Sequence, residues 1–389
     1  MRKSTVAWLA LGGFVVVFGA VLAALQLNRA LESRPAPVAE RPKDGWLVNA
    51  SADQLAAGDF RAAAKRAVES VVSIDTQVEG ENWFGERVVQ SAGQGSGVIL
   101  SSTGTIVTNN HVLRARSFRG ERLVDKVNVT FYDGSTSPAK IVGTDPRSDL
   151  AVLKVEKTNL KPIVVGDSGK LEVGEWVLAI GNPLGYENTL SVGVVSNVGR
   201  QLPGGGNSIF IDGIQTDAAI NMGNSGGALT NARGELVGIN TAIASIGGGS
   251  IGIGFAIPVN RMRQVVEDIL KNGYARYGSL GVEILRRPGV LSVPDAREEL
   301  RRRTGAKSDP PDKGVVVMNV SQGSAAYKAG IRPLDVIMEM SSKSLTDIED
   351  FSKQMSPRRP GDRVELKVWS AGTVKSLSVA LDEAPRQAS

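Results

Sequence analysis

The 389-residue chain is 42% hydrophobic and 22% charged, enough apolar material for two to three folded domains at ~150 residues each. It has no cysteine and one histidine, which excludes disulfide scaffolds, thiol nucleophiles, iron–sulfur sites and two-histidine metal centres, so neither a metal nor another cofactor is expected. Its net charge of +5 is small for this length, and no basic stripe with interleaved aromatics marks a nucleic-acid partner.

Arg2 and Lys3 precede an uncharged apolar run from Val6 to Leu27. At ~1.5 Å per residue in a helix, that run spans about 33 Å, enough for a bilayer core of ~30 Å. It is longer than the apolar part of a cleaved signal, and Val21-Leu22-Ala23 is a poor cleavage site. Residues 1–27 therefore read as an uncleaved signal anchor, a single transmembrane helix with the rest of the chain exported. Residues 28–54 carry prolines and mixed charge without periodicity, as a linker does. Phe60, Ala64, Ala67, Val68 and Val71 then share one face of a short helix.

From Val71 to Ile257 the chain is a string of short β-type runs such as SGVILSS, LAVLKV, WVLAIGN and ELVGINTAI. With 45 glycines and 5% aromatics, this predicts a mainly β domain of barrel or sandwich type over 55–273. Pro258 to Asn272 is an amphipathic helix that starts at a proline and stops before Gly273. Residues 278–382 form a second unit of mixed strands and helices, followed by a tail over 383–389. Within it, 286–313 reads as a surface insertion, and Arg301-Arg302-Arg303 as a solvated helix face. The glycine tracts at 204–206 and 247–249 read as mobile loops.

Three residues carry the chemistry. The segment Asn221 to Gly227 packs three glycines around Ser225, a hydroxyl that needs a base before it can attack. The sole histidine, His111, follows the strand-like run TIVTNN, and Asp149 stands at the mouth of the run LAVLKV. Gly223-x-Ser225-x-Gly227 formally matches the elbow of α/β-hydrolases, but those enzymes need a histidine after the serine, and none follows. The order His, Asp, Ser is that of the chymotrypsin-like double β-barrel, which agrees with the strand pattern.

The stretches GSGVILSSTGTIVTNNHVL, VGTDPRSDLAVLKV, VGEWVLAIGNPLG, IQTDAAINMGNSGGALTNARGELVGINTAI and GIGFAIP resemble the HtrA/Deg family of serine proteases over about residues 55–382. The anchor, the short segment between Val78 and Gly95 and the single C-terminal PDZ-like unit resemble its membrane-anchored DegS type. The resemblance implies a trypsin-like domain with His111 as base, Asp149 as its orienting partner, Ser225 as nucleophile, and the N–H groups of Gly223 and Ser225 as oxyanion hole. It also implies a pocket for a small or β-branched apolar residue along Ile220, Ile239, Asn240, Thr241 and Ala242. Met222 departs from the proline that many relatives have beside the oxyanion turn.

In the second unit Ser279, Leu280, Gly281 and Val282 resemble a PDZ carboxylate-binding loop and its strand, and GSAAYKAGIRPLDVI resembles the core PDZ segment. Leu334 and Ser341-Ser342 depart from the usual glycine or Asn-Gly turn residues. By the same resemblance the PDZ unit senses C-termini of misfolded outer-membrane proteins, and Arg200 couples that signal to the site. Phe60 marks a homotrimer contact. The implied role is cleavage of a membrane-bound regulator of anti-sigma-factor type, from the periplasmic face of a bacterial inner membrane, in the envelope stress response. Two alternatives stand beside it: a general periplasmic quality-control protease, and a non-catalytic PDZ scaffold.

Overall fold

The computed structural model describes residues 59–81, 86–117, 120–182, 188–202, 210–243, 252–287 and 289–386. The expected anchor, the linker and both glycine tracts lie outside these residues. Among the described residues no helix is long and apolar enough to cross a membrane.

A short helix, α1 (Arg61–Ala67), leads into the first of two closed barrels. The first comprises β1 (Val71–Glu81), β2 (Arg87–Ile99), β3 (Thr105–Asn109), β6 (Lys126–Thr130), β7 (Thr136–Asp145) and β8 (Leu150–Val155), in the order β1-β2-β3-β8-β7-β6. A hairpin of β4 (Arg114–Ser117) and β5 (Gly120–Leu123) stands off it. The second comprises β9 (Trp176–Gly181), β10 (Thr189–Leu202), β11 (Phe210–Thr216), β12 (Ala228–Asn231), β13 (Leu236–Ile243) and β14 (Gly254–Pro258), in the order β10-β11-β14-β13-β12-β9.

The run LAVLKV is nearly continuous in apolar character because β8 is buried on both faces. Side chains alternate along a strand. Ile106, Ala151 and Leu153 point into the first barrel's core, with Val72, Ile74 and Ile99. Val107, Leu150 and Val152 point the other way, into a second core shared with Leu178, Ile180, Leu236 and Ile239 of the other barrel. Helix α2 (Val259–Asn272) closes that seam with Val259, Met262, Val265, Val266 and Ile269. Pro258 precedes the helix, and Gly273 ends it at φ 83°, donating its N–H to the Ile269 carbonyl.

The second unit is built on a sheet of β16 (Val282–Ile284), β17 (Val315–Val320), β18 (Val336–Met340), β20 (Arg363–Ser370) and β21 (Thr373–Ala380), with β19 (Lys343–Ser344) on β18. A separate pair, β15 (Gly278–Ser279) with β22 (Asp382–Glu383), ties the two ends of the unit together. Helices α3 (Pro294–Thr304), α4 (Ala325–Lys328) and α5 (Ile348–Met355) complete it. The stretch 286–313 does more than decorate the surface: Leu291 and Leu300 of the turn and α3 pack on Val316, Val336 and Trp369. The arginine run itself faces solvent, paired with Glu298, Glu299 and Asp309.

Candidate active site

Strand pairing brings the first two residues together. Asn109 of β3 lies opposite Leu150 of β8, so the residues just beyond, His111 and Asp149, meet at the barrel rim. Asp149 adopts φ 54°, a left-handed conformation that a non-glycine residue holds only under constraint. Its carbonyl accepts from Asn110 N–H and Asn109 Nδ2, each at 3.0 Å. Its carboxylate Oδ1 accepts from the His111 N–H at 2.9 Å, and Oδ2 lies 2.7 Å from His111 Nδ1. A carboxylate only accepts, so Nδ1 carries the proton and Nε2 is left as the basic nitrogen. Burial pulls the imidazole pKa down, but the hydrogen bond to Asp149 and its negative charge together outweigh this and raise it above 6.5. The ring is half open to solvent.

Thr241 of β13 is the link that the sequence motifs do not mark. Its hydroxyl donates to Asp149 Oδ2 at 2.8 Å, and its carbonyl accepts from Ser225 Oγ at 3.2 Å. The serine therefore stands in the same site as the His–Asp pair, with its hydroxyl turned to Thr241 and not hydrogen-bonded to the imidazole. The sequence reading places Thr241 in the pocket wall, and no local signal marks its hydroxyl for Asp149, because the face of β13 it occupies is set by the barrel register.

The turn that carries Ser225 is pinned on both sides. Asn224 N–H donates to the Asn221 carbonyl, Gly226 N–H to Asn240, and Gly227 N–H to Asn224. Gly226, at φ 84°, passes so close to the first barrel that a Cβ there would lie 2.2 Å from the Ser96 carbonyl oxygen. Gly223 has φ 95°. Among the described residues neither the Gly223 nor the Ser225 N–H has an intramolecular acceptor. Met222 beside them is 81% exposed.

The expected pocket residues are packed inward. Ile220 and Ile239 lie in two apolar cores, and Asn240 spends its Nδ2 on the Ile180 and Ala228 carbonyls. The side chain of Ala242 lies outside the described residues. Asp217 accepts the Val194 N–H at 2.7 Å. Asp145 is buried and accepts from the Ser148 N–H at 3.1 Å, from the Ser148 hydroxyl and from the phenol of Tyr277 in the linker to the second unit. Among the described residues no cluster of three or more potential metal ligands occurs.

In the second unit Gly281 takes φ 73° and donates its N–H to Ser279 Oγ at 3.0 Å, while Leu280 is buried. Val282 leads edge strand β16, and Val282, Ile284, Phe351 and Met355 pack half-buried on one core. Arg200 of β10 is exposed and donates to Gln215 Oε1 of β11 at 2.8 Å. Helix α5 approaches that same strand.

Two six-stranded barrels, with a His–Asp pair on one and a serine turn from the other, define a trypsin-like peptidase domain, here followed by a PDZ domain. Residues 95–239 match the model of the trypsin-like peptidase domain and residues 280–381 that of the PDZ domain. A probable periplasmic DegP-like serine endoprotease of Bartonella henselae is 41% identical over 292 residues, 75% of this chain and 53% of that protein. Its counterpart in Chlamydia pneumoniae is 33% identical over 424 residues, 100% of this chain and 79% of that protein. The solved structure of the HtrA-type protease AlgW with a decapeptide superposes with a TM-score of 0.68 at 34% identity, covering 84% of this chain and 99% of that one. The chain belongs to the HtrA/DegP-like family of serine proteases, and it spans about half the length of the Bartonella relative.

Proposed function

We propose that this protein is a periplasmic serine endopeptidase in which Ser225, His111 and Asp149 form the catalytic triad. The observation that carries the reading is the chain of hydrogen bonds from Ser225 through Thr241 to Asp149 and on to His111. For reaction, the Ser225 hydroxyl turns from the Thr241 carbonyl to His111 Nε2, gives up its proton there and attacks the peptide carbonyl. The Gly223 and Ser225 N–H groups receive the oxyanion, a task for which removal of one donor costs ~10²–10³ in rate. The imidazolium, stabilised by Asp149, then protonates the leaving amine. By the family resemblance, substrate selection falls to the region of Ile220 and Ile239–Ala242, which carries no charge and so suits a small or β-branched apolar side chain, although Ile220, Ile239 and Asn240 turn their own side chains inward.

The periplasmic setting is supported by the names of the DegP-like relatives. The apolar run Val6–Leu27 favours a single-pass inner-membrane anchor. The edge strand β16, lined by Val282, Ile284, Phe351 and Met355, suits a C-terminal peptide added as a further strand, with the loop Ser279–Gly281 at its carboxylate. The AlgW structure holds a decapeptide, which favours an enzyme that takes peptides, and the resemblance to the DegS type supports a peptide-controlled role in which it cuts a membrane-bound regulator. Arg200 of β10, hydrogen-bonded to Gln215 of the neighbouring strand β11 that α5 approaches, suits the coupling role. The ring of Phe60 stacks 5.4 Å from Trp176, and Trp176, Leu190 and Val192 remain exposed on neighbouring strands, an apolar face suited to a homotrimer. The DegP-like relatives support a second reading, general degradation of unfolded periplasmic proteins.

A fluorophosphonate is expected to label Ser225 in the wild-type protein treated with apolar C-terminal peptides, and to leave Ser225→Ala unlabelled. A wild-type protein that neither reacts nor cleaves under those conditions would remove the triad. A Ser225→Ala strain separates the two roles: one or a few uncut membrane proteins accumulate if the enzyme is regulatory, many unfolded proteins if it is degradative.

A further inference from the structure

One residue of the first barrel grips the nucleophile turn of the second. Ser96 lies in β2 and is completely buried. Its N–H donates to the Ser225 carbonyl at 2.8 Å, and its hydroxyl donates to the Gly223 carbonyl at 2.6 Å. The Asn182 N–H donates to the same hydroxyl at 2.8 Å, and Thr108 Oγ1 donates to the Ser96 carbonyl at 2.6 Å. These roles are fixed by chemistry. An amide N–H cannot accept and a carbonyl cannot donate, so the Ser96 hydroxyl proton must point at Gly223 O.

Among the described residues the N–H groups of Gly223 and Ser225, the oxyanion hole of the triad reading, have no intramolecular acceptor. Ser96 holds the carbonyls of both. We propose that Ser96 is a positioning residue for the oxyanion hole: its hydroxyl and its N–H hold the Gly223 and Ser225 carbonyls, and thereby set where the turn that carries both oxyanion N–H groups stands against the first barrel. The inference rests on the protease reading above.

The physical need comes from glycine. Gly223 sits at φ 95°, where the backbone map of glycine is broad on both sides of zero. Its ψ is as loose as its φ, so the Gly223 carbonyl, and the turn with it, drifts from the first barrel at little cost unless that carbonyl is held. The bond from Ser96 N–H to Ser225 O is a backbone bond that any non-proline residue supplies. The bond to Gly223 O needs a side-chain hydroxyl at this position. Without it, the part-buried Gly223 C=O and the buried Asn182 N–H both lose their partner, and the turn gains a reason to move.

The test compares the full-length wild type with Ser96→Ala and Ser96→Thr, using a peptide aldehyde matched to a cleaved substrate. Ser225 Oγ gives its proton to His111 Nε2 and adds to the aldehyde carbon, the carbonyl π pair moves to oxygen, and the resulting hemiacetal oxyanion, paired with the imidazolium, occupies the oxyanion hole. Ser96→Ala is expected to lose about tenfold to hundredfold in both kcat and aldehyde affinity, less than complete loss of a donor, with KM within about twofold. Ser96→Thr, which keeps the hydroxyl, is expected to recover most of both. A folded Ser96→Ala protein that binds the aldehyde as tightly as wild type would overturn the proposal. So would a proportional loss of aldehyde and substrate affinity that threonine does not relieve. If Ser96→Ala does not fold, Ser96→Cys, which fills the space with a weak donor, is read by the same criteria. Failure of the protease reading shows separately, as a wild-type protein that fluorophosphonate does not label.

Discussion

Thr241→Val tests how the His–Asp pair is held. Valine keeps the shape of the side chain and the backbone carbonyl that accepts from Ser225, and deletes one hydroxyl. That hydroxyl is one of three donors on the Asp149 carboxylate, at 2.8 Å beside His111 Nδ1 at 2.7 Å and His111 N–H at 2.9 Å. The carboxylate belongs to a residue only 8% exposed, so water is a poor replacement. A hydrogen bond to a charged group is worth about 1.5–3 kcal/mol, and about 1.4 kcal/mol is tenfold in rate. Two consequences follow. With fewer donors the carboxylate is more basic and draws harder on the imidazole proton, so the acid limb of the kcat/KM profile moves to higher pH. The carboxylate also loses one point of orientation, and the plateau rate falls about three- to tenfold as a fraction of that bond energy is lost from the transition state. Initial rates on a peptide substrate from pH 5 to 9, with fluorophosphonate labelling to show that Ser225 remains reactive, measure both. A Thr241→Val profile that superposes on wild type in limb and plateau would refute the reasoning.

Other consequences are as direct. Gly226→Ala drives a Cβ to 2.2 Å from the Ser96 carbonyl oxygen at a positive φ, and is expected to cost roughly 2–5 kcal/mol of stability in a denaturant titration; an unchanged midpoint would contradict the packing. Tyr277→Phe removes a phenol whose own pKa burial and the neighbouring carboxylate push far up, so that it stays protonated and donates to buried Asp145; a loss of about 1.5–3 kcal/mol is expected by chemical denaturation, and no loss would refute the contact's importance. The raised pKa of His111 means that its pairing with Asp149 stabilises the fold fully below pH 6.5 and that this share is lost as pH climbs through the folded-state value. Catalysis runs the opposite way, because the base must be neutral: activity is expected to rise with a half-point above pH 6.5, and a half-point at or below it would count against the His–Asp coupling.

The sequence makes the triad legible because the reaction restricts residue types so strongly: with one histidine in the chain, the order His, Asp, Ser leaves few folds to choose from. Helix α2 is legible for a local reason, since Pro258 and Gly273 bound an amphipathic run. What stays hidden depends on contacts between distant segments. Thr241 reads as pocket lining because the face of β13 it occupies is set by the barrel register, and Ser96 reads as part of a glycine-rich strand start. The stretch 286–313 reads as surface because it holds few apolar residues, yet Leu291 and Leu300 are enough to cover one face of the PDZ sheet. Leu334, Ser341 and Ser342, which depart from the family's turn residues, still adopt φ 73°, 49° and 64°. The fold keeps its left-handed turns there and absorbs the cost of side chains that disfavour them.

The division of the site between two barrels has an energetic corollary. The His111–Asp149 pair is local to the β3–β8 ladder and persists whenever the first barrel is folded. The placement of Ser225 against that pair is not local. It depends on the bonds from Ser96 to Gly223 and Ser225, from Asn182 to Ser96, and from Thr241 to Asp149, with the apolar seam of Val107, Val152, Ile180 and Ile239 beneath them. The neutral hydrogen bonds among these contribute about 0.5–1.5 kcal/mol each and the Thr241 bond to the Asp149 carboxylate about 1.5–3 kcal/mol, and bond strength falls steeply with misalignment. A shift of the nucleophile turn by a fraction of an ångström therefore separates serine from base at the cost of a few kcal/mol, while both barrels stay folded and the imidazole stays oriented. The orientation of the Ser225 hydroxyl toward Thr241 is an arrangement that differs from the reactive one by a rotation of that small cost, within the range that a ligand's differential affinity for the two arrangements can reverse.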